Sequence, residues 1–289
     1  MKKINIVGSL NVDLCIESPY MPVAGETLTG GGFMINGGGK GANQAIAAAR
    51  LGGNVRMCGA VGNDQFGANQ ISGLKADGID VSFVKAVGGV STGVAVIVLT
   101  EGDNRIILDK GANSRVEKAD IDAFLEGANP GDIYLTQLEN PIDVIGYGLK
   151  KAKEKGLLTV LNPAPANGAI KDYLEYVDII TPNESELNIL GGKEWLFGCG
   201  IKTIVTTLGG KGYRISNADG DKEYPCIKVK AVDTTAAGDT LCGGLVVGLS
   251  EGKTLEEACA FGSKAASIAC TRKGAQPSVP TRKEVEEYC

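Results

Sequence analysis

The chain has 289 residues, of which 43% are hydrophobic and 22% charged, and its 34 acidic and 29 basic residues give a formal net charge of −5. This length accommodates one large α/β domain or two modest ones, and the negative charge argues against a nucleic-acid surface built on bulk positive charge. The chain has no histidine, which excludes Ser-His-Asp triads, imidazole bases and histidine-ligated zinc sites.

Cysteine use and the N-terminal segment indicate a soluble, cytoplasmic protein. The 8 cysteines contain no C-x-x-C pair, so neither a metal cluster nor a disulfide framework is indicated. The first apolar run is interrupted by Asn5, Ser9, Asn11 and Asp13, which distinguishes it from a secretory signal peptide. No stretch reaches the about 20 apolar residues that a membrane span needs.

Hydrophobic runs and turn residues predict the elements in chain order. In the first half they predict a strand at 3–8, alternating segments near 26–35, a helix at 41–51, a strand at 56–61, a helix at 66–76, and strands at 92–99 and 105–108 around a hairpin turn at 101–104. In the second half they predict helices at 120–127 and 141–155, strands at 133–137, 158–161, 177–181 and 203–207, a β-rich piece at 212–232, and helices at about 237–249 and 254–271.

The order of these elements predicts an α/β fold. Strands that alternate with helices favour a mainly parallel central sheet covered by helices on both faces. The β-only segments near 15–36 and 92–110 interrupt this alternation, and we expect them to form a small sheet that projects from the main body. Because no repeat or linker divides the sequence, we expect a single domain over residues 1–289.

The segment DTTAAGD at 233–239 precedes an apolar helical pattern. Small residues at 236–238 allow close approach of a ligand, and free N–H groups at a helix N-terminus favour an anion. Because the chain has no histidine, Asp239 is the candidate general base for a hydroxyl proton. The alternative role for this carboxylate is a helix N-cap.

Other polar residues follow predicted strands, where α/β proteins bind ligands. Asn11 and Asp13 come after the first strand, and Glu139 follows the strand at 133–137. Such amide and carboxylate groups match sugar hydroxyls, although an Asx-turn is the alternative reading. In NGGGKGAN at 36–43, Lys40 and Asn43 supply donors at a helix start, and the alternative is a Gly-rich turn with a solvated lysine.

Two further segments suit phosphate chemistry. In TPNESE at 181–186, Asn183 and Glu186 share a helix face and could hold a hydrated Mg²⁺ or a phosphate through water. A capping pattern is the alternative. The Gly-rich loop TLGGKG at 207–212 follows a strand and could pass under a nucleotide phosphate or ribose.

Together these segments resemble the ribokinase-like (PfkB) carbohydrate kinases over nearly the whole chain. The resemblance rests on GSLNVD at 8–13, GGKGANQA at 38–45, AVGNDQFG at 60–67, STGVA at 91–95, NPAPA at 162–166, TPNESE at 181–186, DTTAAGD at 233–239 and TRKGAQPSVP at 271–280. It implies a three-layer α/β sandwich with a β-sheet lid at about 14–36 and 91–111. It also implies phosphoryl transfer from MgATP to the 5-hydroxyl of D-ribose, and a homodimer formed through the lids.

The same resemblance implies roles for individual residues. Asp239 would be the catalytic base, and the amides of Ala236, Ala237 and Gly238 the anion hole. The implied pentose ligands are Asn11, Asp13, Gly39, Lys40, Gly41, Ala42, Asn43 and Glu139. The implied nucleotide site comprises Asn183, Thr207, Leu208, Gly209, Gly210, Lys211, Gly212, Gly238, Asp239 and Ser263. Glu186 would bind Mg²⁺ through water, and the implied K⁺ site comprises Asp233, Thr235, Ala269, Arg272, Gly274 and Ser278.

The chain departs from the family pattern at three places. Ala236 stands where the signature has Gly, and Ser263 where relatives often have a larger polar residue near adenine. Between Glu186 and Thr203 the chain is about a dozen residues short, roughly three helical turns. Trp195 and Phe197 in the shortened segment would then be exposed or would fill the space left behind.

The alternatives are of three kinds. A related kinase could act on deoxyribose, fructose or a nucleoside, although 5% aromatic residues offer little platform for a purine base. A sugar-binding regulator without catalysis would need neither Asp239 nor an anion hole. An NAD-dependent dehydrogenase would need a Gly-rich fingerprint directly after the first strand, and GSLNVD lacks it.

Overall fold

A nine-stranded sheet and a separate four-stranded sheet organise the protein in the computed structural model, which describes residues 1–101 and 103–288. The strands are β1 (Lys3–Val7), β2 (Asn11–Glu17), β3 (Gly31–Gly38), β4 (Asn54–Gly62), β5 (Asp80–Val87), β6 (Gly93–Thr100), β7 (Asp103–Asp109), β8 (Ile133–Thr136), β9 (Leu158–Leu161), β10 (Ile179–Ile180), β11 (Thr203–Thr207), β12 (Tyr213–Asn217) and β13 (Gly220–Tyr224). The α-helices are α1 (Lys40–Arg50), α2 (Gln65–Ala76), α3 (Lys118–Glu126), α4 (Ile142–Glu154), α5 (Glu184–Ile189), α6 (Lys193–Gly198), α7 (Ala237–Ser250), α8 (Leu255–Ala269) and α9 (Arg282–Glu287).

The large sheet has the order β13-β12-β11-β10-β9-β8-β1-β4-β5. Its pairs from β11 to β5 are parallel, and β12 and β13 add an antiparallel edge. Inner strands such as β8 are buried along their whole length, because helices cover parallel sheets on both faces. The predicted mainly parallel sheet between helical layers is therefore confirmed.

Apolar side chains pack in one cluster on each face of this sheet. On the face covered by α1, α7 and α8, Ile4 and Ile6 contact a cluster that includes Ile46 and Leu245. On the other face, Phe124 of α3 belongs to the cluster that α4 also joins. Glycines let α7 and α8 approach closely, since a Cβ on Gly244 would lie 2.5 Å from the Cα of Gly262.

The small sheet has the order β3-β2-β6-β7 and contains both predicted β-only segments. Its β2–β6 pair is parallel, and the β2–β3 and β6–β7 pairs are antiparallel. Asp13, Cys15 and Met34 on its inner face line a cavity against the main body. The outer face carries Phe33 and Ile107, which are 60% and 71% exposed. The expected small separate sheet is confirmed.

Several local predictions differ from the structure. The predicted strand at 177–181 is only β10, because Pro182 lacks an N–H donor and a helix starts at Glu184. The predicted β-rich piece at 212–232 ends with β13 at Tyr224, before Pro225. In the predicted hairpin turn at 101–104, Gly102 lies outside the described residues, as does Cys289 of the eight cysteines.

The segment expected to be shortened contains two short helices, α5 and α6, of six residues each. Trp195 is 40% exposed beside Gly191, whereas Phe197 is half-buried and packs against the apolar cluster of that face. Of the helices in the described ranges, none combines the length and the apolar character that crossing a bilayer requires.

Candidate active site

Asp239 lies in the first turn of α7 and is 7% exposed. Its Oδ2 accepts a hydrogen bond of 3.0 Å from Asn43 Nδ2, and its Oδ1 accepts one of 2.9 Å from Gln44 Nε2. The N-cap of this helix is Ala236, in the left-handed conformation. Asp239 therefore does not cap α7, and its carboxylate is held by two amide side chains of α1.

The N-terminus of α7 presents free backbone donors beside this carboxylate. The Ala237 amide donates to the Thr234 carbonyl at 3.2 Å. The amides of Ala236, Gly238 and Asp239 have no acceptor within the described part of the chain. The free donors of the predicted anion hole are therefore those of Ala236 and Gly238, joined by Asp239, whereas the amide of Ala237 is engaged.

The N-terminus of α1 contacts the segments that follow β1 and β8. Gly39, the N-cap, has a φ of 88° and packs against the Asn11 amide. Glu139 Oε2 accepts from the Lys40 amide at 3.0 Å and from the Ser9 hydroxyl. The predicted pentose ligand Glu139 thus also fixes the start of this helix.

Gly41 and Ala42, also predicted to contact the pentose, face the protein interior instead. The Gly41 amide donates to Ser9 Oγ at 3.3 Å, and the Ala42 amide donates to the Ser9 carbonyl at 2.9 Å. Both residues are buried, and a Cβ on Gly41 would meet the backbone of Gly8 at 2.5 Å. Their small size therefore serves close packing of α1 on the chain after β1.

Lys40 places one ammonium group among several carboxylates. Burial lowers the pKa of Lys40, but the charges of Asp239, Glu139 and Glu186 outweigh it and the pKa is raised. Lys40, Asp239 and Glu186 line a cavity of about 250 Å³. The lysine therefore stays protonated beside the candidate base.

Asn11 and Asp13 lie on β2, an inner strand of the small sheet. Asn11 is 3% exposed, and its Oδ1 accepts from Asn113 Nδ2 at 2.7 Å. Burial, together with the charges of Glu139 and Asp239, raises the pKa of Asp13 from 3.8 to about 6. Asp13 lines a cavity of about 600 Å³ that continues to the loop of Asp233, and this cavity lies under the small sheet.

A second cleft of about 290 Å³ lies beside the N-terminus of α7. Its lining includes the predicted residues Thr207, Gly209, Gly210, Gly212, Gly238 and Ser263. Leu208 and Lys211 are not part of the lining. Leu208 is only 8% exposed, at the start of a 3₁₀ turn. A largely apolar cleft is completed by residues that were not predicted from the sequence: 226–229, Ala266 and Ser267 of α8, and Cys270 directly after α8.

Asn183 and Glu186 form the capping box that was the alternative interpretation of this segment. Asn183 Oδ1 accepts from the Glu186 amide at 2.8 Å, and Glu186 Oε2 accepts from the Asn183 amide at 2.9 Å. Both side chains also line the 250 Å³ cavity. Capping and ligand binding are therefore compatible here, because one carboxylate oxygen of Glu186 lies outside the box. No cluster of three or more acidic or cysteine side chains that could hold a metal occurs among the described residues.

Three of the predicted cation-site residues, Asp233, Thr235 and Gly274, meet at the loop before α7. Asp233 Oδ1 accepts from the amide and hydroxyl of Thr235 at 2.8 and 2.6 Å, and Oδ2 accepts from the Gly274 amide at 2.9 Å. Burial raises the pKa of Asp233, but these hydrogen bonds outweigh it and the pKa is lowered. The Arg272 side chain instead binds Glu284 at 2.7 Å.

Two more residues of that predicted set are fully buried. Ala269 is fully buried, and its carbonyl accepts from the Arg272 amide at 3.0 Å. Ser278 is also fully buried, and its hydroxyl donates to the Ala275 carbonyl at 2.8 Å.

A buried network of polar side chains that contacts Asp239 was not predicted from the sequence. Gln44, Gln137 and Asn162 are at most 7% exposed and link α1 to the ends of β8 and β9. The available signal was Gln44 itself, a polar residue in the apolar stretch ANQAIAAA of α1.

Comparison with known proteins places the chain among sugar kinases. Residues 1–282 match the model of the pfkB family carbohydrate kinases. Ribokinase from Haemophilus influenzae is 40% identical over 300 residues, covering 99% of this chain and 98% of that protein. Deoxyribokinase from Salmonella typhi is 35% identical over 299 residues, with 99% and 98% coverage.

Solved structures agree with this assignment. Ribokinase from Thermotoga maritima superimposes with a TM-score of 0.89 at 37% identity, covering 99% of this chain and 98% of the other. Arabidopsis thaliana ribokinase complexed with ribose and ATP gives a TM-score of 0.89 at 31% identity, with the same coverage. The chain therefore belongs to the pfkB family of carbohydrate kinases.

Proposed function

We propose that this protein transfers the γ-phosphoryl group of ATP to the 5-hydroxyl of D-ribose, with Asp239 as the general base. The observation that carries the proposal is that Asp239 lines a cavity that adjoins two others. The 250 Å³ cavity that it lines shares Thr207 and Gly238 with the apolar cleft, and Thr234 with the cavity under the small sheet. A nucleotide in the cleft and a sugar under the sheet would meet at this carboxylate.

The geometry supports an in-line transfer with a late proton shift. A carboxylate is far too weak a base to ionise an alcohol before reaction, so the proton moves to Asp239 while the hydroxyl oxygen bonds to phosphorus. The bond from phosphorus to the β–γ bridging oxygen breaks in the same step, and ADP leaves. The free amides of Ala236 and Gly238 would stabilise the charge on the transferred group.

The carboxylate of Glu186 suits a hydrated Mg²⁺ bound mainly through water and ATP phosphate oxygens. When bound, this ion would neutralise charge on the phosphates. Lys40 would add a protein-borne positive charge between the base and the phosphate path. The sugar would be held by Asp13, with the buried Asn11 and Asn43 beside it.

The substitution Asp239→Asn tests the central claim. We expect kcat to fall by at least about 10³-fold, while the dissociation constant for ATP changes less than twofold, because the apolar cleft is untouched. Asp172→Asn, on the exposed surface, is the matched control. Activity within tenfold of the wild type would remove Asp239 from the base role, and a wild type that binds ribose without releasing ADP would be a sugar-binding regulator.

Sugar identity needs its own measurement. The ribokinase relative is more similar than the deoxyribokinase, at 40% against 35% identity, and we therefore propose ribose as the preferred substrate. ADP release would be compared over ribose, 2-deoxyribose and fructose at equal concentrations. A higher kcat/KM for 2-deoxyribose would reassign the substrate without altering the role of Asp239.

We also propose that K⁺ binds beside the anion hole and orders its loop. The Asp233 carboxylate joins the loop before α7 to the segment around Gly274, and its oxygens are the candidate ligands for the cation. A cation here would act on the phosphate site without touching substrate. We expect K⁺ to raise both turnover and Tm relative to Tris buffer, and Asp233→Asn to abolish the shift in Tm. Equal Tm values in both buffers would contradict the site.

We propose that the whole chain is one domain, that segments 14–36 and 91–111 act as its lid, and that two lids pair in a homodimer. The outer face of the small sheet exposes Phe33 by 60%, Ile35 by 55%, Val96 by 41% and Ile107 by 71%, which is typical of a surface that is covered in an assembly. Light scattering of the double variant Phe33→Lys/Ile107→Lys should give a monomer. Ile189→Lys, at an exposed apolar position on α5, is the control, and an unchanged dimer mass in the double variant would contradict the proposal.

Finally, we propose a cytoplasmic location. An ATP substrate and the seven free cysteines among the described residues are in keeping with a reducing, ATP-rich compartment. Cell fractionation would test it, and recovery of the protein in a secreted or membrane fraction would contradict it.

A further inference from the structure

The carboxylate of Asp239 accepts a hydrogen bond from the side-chain amide of Gln44, which lies in neither proposed substrate site. Gln44 is fully buried on α1, and its Nε2 donates to Asp239 Oδ1 at 2.9 Å and to Asn162 Oδ1 at 3.3 Å. Its Oε1 accepts from Gln137 Nε2 at 2.6 Å. Every hydrogen-bonding atom of the Gln44 amide is thus engaged.

The orientation of this amide is dictated by its neighbours. An ionised carboxylate only accepts hydrogen bonds, so the atom that faces Asp239 must be the donor Nε2. The Oε1 atom then points to Gln137, which follows β8. The network joins α1 and α7 to the ends of β8, β9 and β10, because Asn162 follows β9 and donates to the Thr181 carbonyl after β10 at 3.0 Å.

From this geometry we infer that Gln44 is a positioning residue that fixes the carboxylate of Asp239 for proton transfer. The inference rests on the proposed function, because it needs Asp239 to be the base. The torsion that turns a carboxylate about Cβ–Cγ is intrinsically broad, and a misplacement of about 1 Å can cost about 10²-fold in rate. Asn43 holds the other oxygen at 3.0 Å, but it is also a proposed sugar ligand.

Several charged and titratable groups lie close to the carboxylate that receives this hydrogen bond. The charged and titratable groups around Asp239 are Asp13 of β2, Lys40 of α1, Glu139 after β8, Glu186 of α5 and Cys242 of α7. A hydrogen bond to the charged form of an acid stabilises that form. Loss of the Gln44 donor should therefore affect both the rate and its pH dependence.

The first test is Gln44→Leu, which keeps the approximate volume and removes the donors. We expect kcat to fall by about 10- to 100-fold, with the KM values for ATP and ribose changed less than about threefold and the acid limb of the kcat profile moved to higher pH. Thr159→Val is the control, because Thr159 is fully buried on β9 and its hydroxyl binds the Tyr176 carbonyl away from the site. A kcat and pH profile equal to those of this control would overturn the inference.

A second variant, for which we expect the opposite pH dependence of kcat, tests the inference if the leucine variant folds poorly. In Gln44→Glu, the introduced carboxyl can donate to Asp239 only while it is protonated. We expect its kcat to rise as the pH falls, over the range in which the kcat of the leucine variant declines. A pH profile parallel to that of the wild type would overturn the inference.

The double variant Gln44→Leu/Asp239→Asn separates this inference from the proposed function. If Gln44 acts through Asp239, the double variant should be no slower than Asp239→Asn alone. A further tenfold loss would show that Gln44 acts through another group. An active Asp239→Asn enzyme would instead refute the base role itself, whatever the leucine variant does.

Discussion

The partly buried carboxyl of Asp13 should cost the protein stability at neutral pH. Burial and the neighbouring charges of Glu139 and Asp239 raise the pKa of Asp13 from 3.8 to about 6. At about 1.4 kcal/mol per pKa unit, ionising Asp13 in the native state at pH 7 costs about 3 kcal/mol more than in the unfolded chain. We therefore predict that Asp13→Asn raises the free energy of unfolding at pH 7.5 by up to about 3 kcal/mol.

The sign follows from proton binding. Between pH 3.8 and about 6 the native state holds the Asp13 proton more tightly than the unfolded chain does, so the contribution of Asp13 to stability falls as the pH rises through this window. Below pH 3.8 the side chain is protonated in both states, and the asparagine variant should match the wild type. The stability difference should therefore grow from near zero at pH 3.8 to its full value above pH 6.

Urea unfolding of the wild type and the variant over this pH range measures the difference directly. Asp219→Asn, an exposed position near the β12–β13 turn, controls for a simple loss of charge. Ribose should raise the Tm of the wild type but not of Asp13→Asn, because hydroxyl donors would compensate the buried charge. A stability difference that does not change with pH would refute the reasoning.

Three further predictions concern packing and charge. Gly244→Ala should lower the free energy of unfolding by about 1–3 kcal/mol, because its Cβ would lie 2.5 Å from the Gly262 Cα. The added Cβ of Gly73→Ala meets nothing within 4 Å, so this variant should be more stable by about 0.5–1 kcal/mol. Urea unfolding of the two variants measures both effects. Lys40→Met should lower kcat by about 10²–10³-fold, and steady-state kinetics that show only a higher KM for sugar would limit Lys40 to sugar binding. Glu186→Gln should raise the Mg²⁺ concentration for half-maximal rate by about tenfold, and an unchanged Mg²⁺ titration would exclude the role.

Most of the fold could be predicted because its signals are local. The fully apolar run of β8 and the alanine-rich α1 are typical of a buried strand and of a helix packed on a sheet. The helix α9 was missed although Thr281 and Glu284 form a capping box that the sequence displays. The strand β5 was also missed, because its DVSFVKAV pattern is only partly alternating at a half-exposed edge of the sheet.

The site was predictable only where chemistry limits the choice of residue. Because the chain has no histidine, a carboxylate at a helix start made of small residues was the candidate base, and the structure buries Asp239 there. Its partners were not predictable, since Gln44 lies 195 positions away in sequence and its role depends on how α1 packs against α7. For Asn183 and Glu186 the sequence offered ligand binding and capping as alternatives, whereas the structure forms the capping box and also places both side chains on a cavity.

The charge balance of the site explains why so many amides surround it. Asp13, Glu139 and Asp239 are carboxylates, and Lys40 is a cation that interacts with Glu139 and Asp239, so an incoming nucleotide polyphosphate meets an excess of negative charge. Ionised groups that are removed from water need compensating donors, and here the amides of Asn43 and Gln44 and the free N–H groups of α7 provide them. A bound sugar would add hydroxyl donors to Asp13 just where its charge is most costly. Sugar binding should therefore precede tight ATP binding, and a lower Kd for ATP in the presence of ribose would follow from electrostatics alone.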